Sequence, residues 1–112
     1  MLLLNKDKVL ENLIDKYPKI DQNLVRITLF GSVARNEYNP ESDIDILLLT
    51  KNKKQTTELF SDFKLKILLN YNVVINAIYI SEKEYQNSIE PIYNTIKKEG
   101  KILWEKKKRK RK

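Results

Sequence analysis

Leu29-Phe30-Gly31-Ser32-Val33-Ala34-Arg35 and, after six intervening residues, Ser42-Asp43-Ile44-Asp45-Ile46-Leu47 are the two stretches that decide how this chain folds. Residues 24–30 (LVRITLF) are rich in β-branched and large apolar side chains and read as a strand. Gly31 and Ser32 follow at once, and Ser32 is expected to N-cap a short helical turn through Ala34 and Arg35. Residues 36–42 are polar, with Asn39-Pro40 as a turn signal. Residues 44–50 (IDILLLT) read as a second strand. The unbroken run Ile46-Leu47-Leu48-Leu49 predicts burial on both faces, hence a central position in a sheet.

Asp43 and Asp45 stand two apart at the entrance of that second strand. Strand side chains alternate, so both carboxylates point to one face. When ionised they repel each other. A hard divalent cation relieves the repulsion and takes oxygen ligands, with water and substrate phosphates completing its shell. Taken alone, the pair is better explained by a turn cap at Asp43 and a solvent-facing Asp45. Gly31 lacks a Cβ and lets backbone approach a ligand closely. The Ser32 hydroxyl and the free N–H groups of a helix start favour phosphate. Taken alone, this is also an ordinary strand-to-helix turn. Combined, the halves gain meaning. Phosphate donors leave one strand, ten residues (33–42) intervene, and metal ligands enter the next, which is what in-line attack on a metal-held triphosphate requires.

Working outward, residues 5–17 place Val9, Leu10, Leu13, Ile14 and Tyr17 at helical spacing, and Pro18 is expected to end that helix. Residues 53–70 read as a helix whose buried stripe is Leu59, Phe60, Phe63, Ile67 and Leu68. Residues 73–80 read as a third strand. Ser81-Glu82-Lys83-Glu84 matches a capping box and opens another helical region. Pro91 divides that region, and Gly100 is placed to stop its second part after Glu99. Residues 102–104 form a short last strand or a packed extended end, with Trp104 as the C-terminal anchor. The order predicts an α+β fold, a small mixed sheet of three to four strands flanked by helices.

The chain has 112 residues, no cysteine and no histidine. One domain is expected over residues 1–105. Disulfides, thiolate or imidazole metal sites and Ser-His-Asp chemistry are excluded. No apolar run reaches the roughly 20 residues of a membrane helix, and a cytoplasmic location is expected. Of 22 Lys and Arg residues, seven lie in residues 106–112, leaving 15 against 15 acidic residues in the body. The +7 net charge is therefore a property of a basic, self-repelling tail. That tail is expected to be disordered, and it is either a solvated terminus or an electrostatic contact for nucleic acid or an acidic partner.

The two quoted stretches resemble the signature of the minimal nucleotidyltransferases of the DNA polymerase β-like superfamily. Members often pair with helical HEPN-domain proteins as toxin–antitoxin systems. Residues 73–79 and Glu99-Gly100 before Ile102-Leu103-Trp104 are similar to the family's C-terminal half. The resemblance implies that Gly31 and Ser32 bind the β- and γ-phosphates of a nucleoside triphosphate, and that Asp43 and Asp45 hold Mg²⁺. Arg35 would contact phosphate or an acidic residue in the following loop. The implied reaction transfers AMP from ATP to a hydroxyl, such as a tyrosine of a partner toxin.

Two departures qualify that implication. Asn36 stands where the family often has glycine, a mild change because asparagine tolerates left-handed backbone. More consequentially, active members usually carry a third carboxylate on the third strand, and residues 72–78 (NVVINAI) contain none. Asn72 or Asn76 could lend a neutral oxygen to a metal, but neither is a base, and such a loss costs roughly 10²–10⁴ in rate. The alternative is therefore a degenerate nucleotide-binding antitoxin that acts by contact. Tyr38, in the loop between the motif halves, could stack on a base or accept a nucleotidyl group, or simply pack on the body. Glu82 and Glu84 are explained by capping and the helix dipole.

Overall fold

The chain runs α1 (Leu2–Asp15), α2 (Tyr17–Ile20), β1 (Leu24–Phe30), α3 (Gly31–Ala34), β2 (Ile44–Thr50), α4 (Lys53–Tyr71), β3 (Ile75–Ser81), α5 (Glu82–Asn87), α6 (Pro91–Glu99) and β4 (Lys101–Glu105). The structure is a computed structural model that describes residues 2–35, 37 and 43–107, with side chains from Asn5 onward. The strands form one sheet in the order β3-β2-β1-β4. β1 is antiparallel to β2 and β4, whereas β2 and β3 are parallel. This is the mixed α+β architecture expected.

The parallel pair follows from the connection. A seven-residue strand spans about 23 Å, and the 19-residue helix α4 spans about 28 Å, enough to carry the chain back to the start of β2. β2 is interior, as its apolar run predicts, and its side chains divide between two cores. Ile44, Ile46 and Leu48 pack with Val9, Leu13, Tyr17, Phe60, Phe63 and Ile67 from α1, α2 and α4. Leu47 and Leu49 pack with Ile80, Tyr85 and Ile96 under α5 and α6. Tyr17 and Phe60 meet edge-to-face at 5.0 Å.

Several local expectations shift. α1 ends at Asp15, and Pro18 does not stop the helical path but sits in the first turn of α2, where its missing N–H costs nothing. Asn72 lies outside the third strand. It caps α4 in the left-handed region (φ 56°), its N–H bonded to Leu68 O at 2.9 Å, a conformation asparagine tolerates. β3 consequently begins at Ile75. Gly100 follows α6 as expected, but with extended backbone (φ −68°, ψ 151°). A Cβ there would stand 2.5 Å from Ile96 O and 2.7 Å from Thr28 Cγ2, so Gly100 is needed for close approach to the sheet.

The capping box forms: Glu84 N–H donates to Ser81 Oγ and Ser81 N–H to Glu84 Oε1, both at 3.1 Å. β4 is an edge strand, and Trp104 packs partly buried on the larger core. Lys106, counted with the basic tail by charge, donates its N–H to Val25 O and its Nζ to Gln22 O, each at 2.9 Å. The hydrogen-bonded body thus runs one residue into the basic segment. Tyr38, Asn36, the Asn39-Pro40 turn, Ser42 and residues 108–112 lie outside the described residues.

Candidate active site

β1 and β2 are paired so that Phe30 faces Asp45. The exit of one strand and the entrance of the next therefore meet at one end of the sheet. Phe30 is fully extended (φ −139°, ψ −174°). Gly31 then takes φ +78°, a region that side-chain-bearing residues avoid, and the chain passes straight from strand into α3. A Cβ on Gly31 would lie 3.2 Å from Asp45 Cγ and would collide with Asp45 Oδ2. Glycine is required here twice, by its dihedral and by the carboxylate resting against it.

Ser32 is not the N-cap expected. The positive φ at Gly31 starts the turn one residue early, so the N-cap position falls to Phe30, which makes no side-chain cap. Ser32 sits inside the first turn, its carbonyl accepting the N–H of Arg35 at 3.1 Å and of Glu37 at 2.9 Å. Its own N–H belongs to the first turn, whose donors have no intrahelical acceptor.

Asp43 immediately precedes β2, and Asp45 is its second residue. The parallel register sets Asn76 of β3 beside Asp45. Asn76 Nδ2 donates to Asp43 Oδ2 at 2.8 Å and to Asp45 Oδ1 at 3.2 Å. Both acids therefore face one side, as alternation requires. Two like charges sharing one amide donor near a protein surface repel by about 1–3 kcal/mol, and the bridging amide offsets part of this. Asp45 shares its face with Leu47 and Leu49, but α5 and α6 cover the leucines. Gly31, Ser32, Asp43 and Asp45 stay half-exposed at the uncovered end.

Arg35 is exposed and held by acids. Its Nε donates to Glu37 Oε2 at 3.0 Å and its Nη2 to Glu37 Oε1 at 3.3 Å, while Nη1 lies 3.6 Å from Glu99 Oε1. Hydrogen bonding to Glu37 raises the Arg35 pKa above its ordinary value, and the same bond lowers that of Glu37. The acidic loop partner anticipated for Arg35 is thus Glu37. Glu99 was not anticipated, because only the sheet brings α6 to this corner. Asn76 was anticipated as an oxygen donor, whereas the structure presents its N–H groups to both acids. The register that would have revealed this depends on the β2–β3 pairing.

Among the described residues no group of three or more acidic, histidine or cysteine side chains could hold a metal. Two carboxylates beside a backbone that admits no Cβ nonetheless suit Mg²⁺, which is bound through one or two carboxylates plus substrate phosphates. A separate cavity of about 440 Å³, lined by Lys53, Tyr79, Glu84, Asn87, Glu90 and Tyr93, opens at the other end of β3, away from the aspartates.

Residues 6–111 match the sequence model of the nucleotidyltransferase domain family. The chain belongs to that family. A Methanocaldococcus jannaschii protein, named by inference a protein adenylyltransferase, is 34% identical to this nucleotidyltransferase over 103 residues, covering 90% of this chain and 100% of its own length. A Sulfolobus solfataricus structure described as a nucleotidyltransferase aligns with a TM-score of 0.58 at 20% identity, covering 93% of this chain and 86% of that one. A toxin–antitoxin structure with AMP-PNP aligns at 0.54 and 22% identity, covering 91% of this chain and 72% of that one. At such identities the structures speak for the fold alone. No described helix of this nucleotidyltransferase is long and apolar enough to cross a membrane.

Proposed function

We propose that this nucleotidyltransferase transfers AMP from ATP to a hydroxyl of a protein acceptor, with Asp43 and Asp45 as ligands of Mg²⁺ and Gly31, Ser32 and Arg35 as contacts of the triphosphate. The observation that carries this reading is the contact between Gly31 and Asp45, which joins a backbone able to approach phosphate to the carboxylate pair. Mg²⁺ supplies neutralisation of the phosphate charge. The first-turn N–H groups at Ser32 and the Arg35 guanidinium orient the β- and γ-phosphates, leaving the α-phosphorus open. The acceptor oxygen bonds to that phosphorus, the bond to the β-phosphate oxygen breaks, and pyrophosphate leaves. The acceptor proton passes to an aspartate, to solvent or to a base on the partner, because Asn76 cannot take it.

Adenine is favoured by the protein adenylyltransferase name of the relative. A protein partner agrees with the toxin–antitoxin description of a structural neighbour, and a tyrosine on a helical, HEPN-type toxin is the acceptor that the family resemblance implies. A second reading rests on Asn76, the β3 residue that lies against both aspartates and is an amide where an active site of this kind would use an acid. In it the chain binds nucleotide and restrains its partner by contact, without turnover.

The deciding experiment incubates the protein with α-labelled ATP, Mg²⁺ and its genomic-neighbour partner or lysate. Label transfer lost in Asp43→Ala supports the enzyme. Absence of label, with toxin neutralisation unchanged in Asp43→Ala/Asp45→Ala, overturns it in favour of the binding reading.

A further inference from the structure

We infer that Asn76 is a reversible amide clasp that makes cation entry depend on the nucleotide; the inference rests on the site reading above. The side chain donates from one nitrogen to Asp43 and to Asp45. A primary amide has two N–H bonds and one carbonyl oxygen, so one end of the group complements paired carboxylates and the other complements a cation. The torsion that exchanges the two ends is an sp³–sp² rotation, broad and roughly two-fold. Asn76 is exposed on β3, so close packing by the described residues does not lock the amide in one orientation.

The consequence is specific to this residue type. An aspartate at position 76 would bring a third negative charge and no donor. It would repel Asp43 and Asp45 in the absence of a cation and attract a cation strongly without help. Asn76 does the opposite on both counts: its N–H groups hold the carboxylate pair together, and a cation must displace that hydrogen bonding while gaining at most a neutral oxygen. The negative charge that recruits the cation must then come largely from the triphosphate. The geometry therefore points to a site that takes up Mg²⁺ with ATP rather than before it, and assigns Asn76 as the positioning residue that sets this order.

The test titrates Mn²⁺ by electron paramagnetic resonance into wild type, Asn76→Asp and Asn76→Ala, with and without AMP-PNP, and records Tm in EDTA. Wild type is expected to bind Mn²⁺ at least tenfold more tightly with AMP-PNP than without. Asn76→Asp should bind nucleotide-free Mn²⁺ at least tenfold more tightly than wild type, and its Tm in EDTA should fall and recover with Mn²⁺. Asn76→Ala should lose Tm in EDTA with no gain in nucleotide-free Mn²⁺ affinity. In ¹⁵N-labelled wild type, the Asn76 side-chain N–H₂ signals should shift when Mg²⁺ and AMP-PNP are added together and not with Mg²⁺ alone. Equal Mn²⁺ affinities and equal Tm values across the three proteins overturn the clasp while leaving the site reading intact. Absence of Mn²⁺–AMP-PNP binding by wild type overturns the site reading itself.

Discussion

Gly31 and Asp45 occupy the same corner of the sheet so tightly that the carboxylate fills the space a side chain at residue 31 would need. One residue's missing Cβ is thereby the other's binding geometry. Gly31→Ala imposes two costs, a strained positive φ of about 1–3 kcal/mol and displacement of Asp45. We expect Tm to fall by several degrees and Mn²⁺–AMP-PNP affinity to fall at least tenfold, read by calorimetry. Asp45→Ala/Gly31→Ala should lose less stability than the two changes summed, because the collision is gone. Additive losses would falsify the coupling.

Far from the site, Asp21 anchors a polar network that ties the start of β1 to α2 and α4. Its Oδ2 accepts from Tyr17 OH at 2.8 Å and from Thr56 Oγ1 at 2.7 Å, and its Oδ1 from Asn23 N–H at 3.0 Å. Asp21, Thr50 and Thr56 are buried, and burial is the first cause of the raised Tyr17 pKa, with Asp21 adding to it. Asp21→Ala leaves buried hydroxyls without their acceptor, a loss of about 2–4 kcal/mol. Urea denaturation should show this as a lower midpoint at unchanged slope. A change below about 0.5 kcal/mol would mean that the network does not hold the fold.

Legibility in the sequence divides along local and non-local lines. The helices and strands were readable because periodicity and caps are local: the Ser81–Glu84 capping box and the buried run of β2 stand where the pattern placed them. The Gly31–Asp45 corner was readable because a short loop can bring its two ends together in few ways. Strand order was not readable, since the parallel β2–β3 pair is set by how α4 packs. Everything that depends on that pair was hidden with it, including Asn76 as a donor to both acids. Asn72 was misplaced on a strand face because apolar residues follow it directly, whereas its left-handed backbone ends α4. Glu99 reaches Arg35 only through the return of α6 over the sheet.

Arg35 provides a separation of fold from binding. Its ion pairs with Glu37 and Glu99 are exposed, and pairs of that kind contribute little to stability. Arg35→Gln is therefore expected to leave Tm within experimental error of wild type. If the guanidinium exchanges Glu37 for phosphate when nucleotide binds, AMP-PNP affinity should fall several-fold, with the difference from wild type shrinking at high salt. An unchanged affinity at low salt would confine Arg35 to its acidic neighbours.

Glu84 makes the start of α5 sensitive to pH. The hydrogen bond from the Ser81 backbone N–H is the leading cause that lowers its pKa below the ordinary value near 4.5, aided by the Ser81 side chain and Lys53. Lys53 Nζ lies 3.6 Å from the Glu84 carboxylate. Because the folded pKa is depressed, the carboxylate's contribution is complete above the unfolded value and disappears as pH falls through the lower folded one. In an NMR titration the Ser81 amide should therefore shift with a midpoint below 4.5, and its exchange protection should fall across that same window. Ser81→Ala removes the side-chain partner and leaves the backbone donor, so the midpoint should rise only part of the way toward the ordinary value. A wild-type midpoint at or above 4.5 would show that the reciprocal capping pair does not persist in solution.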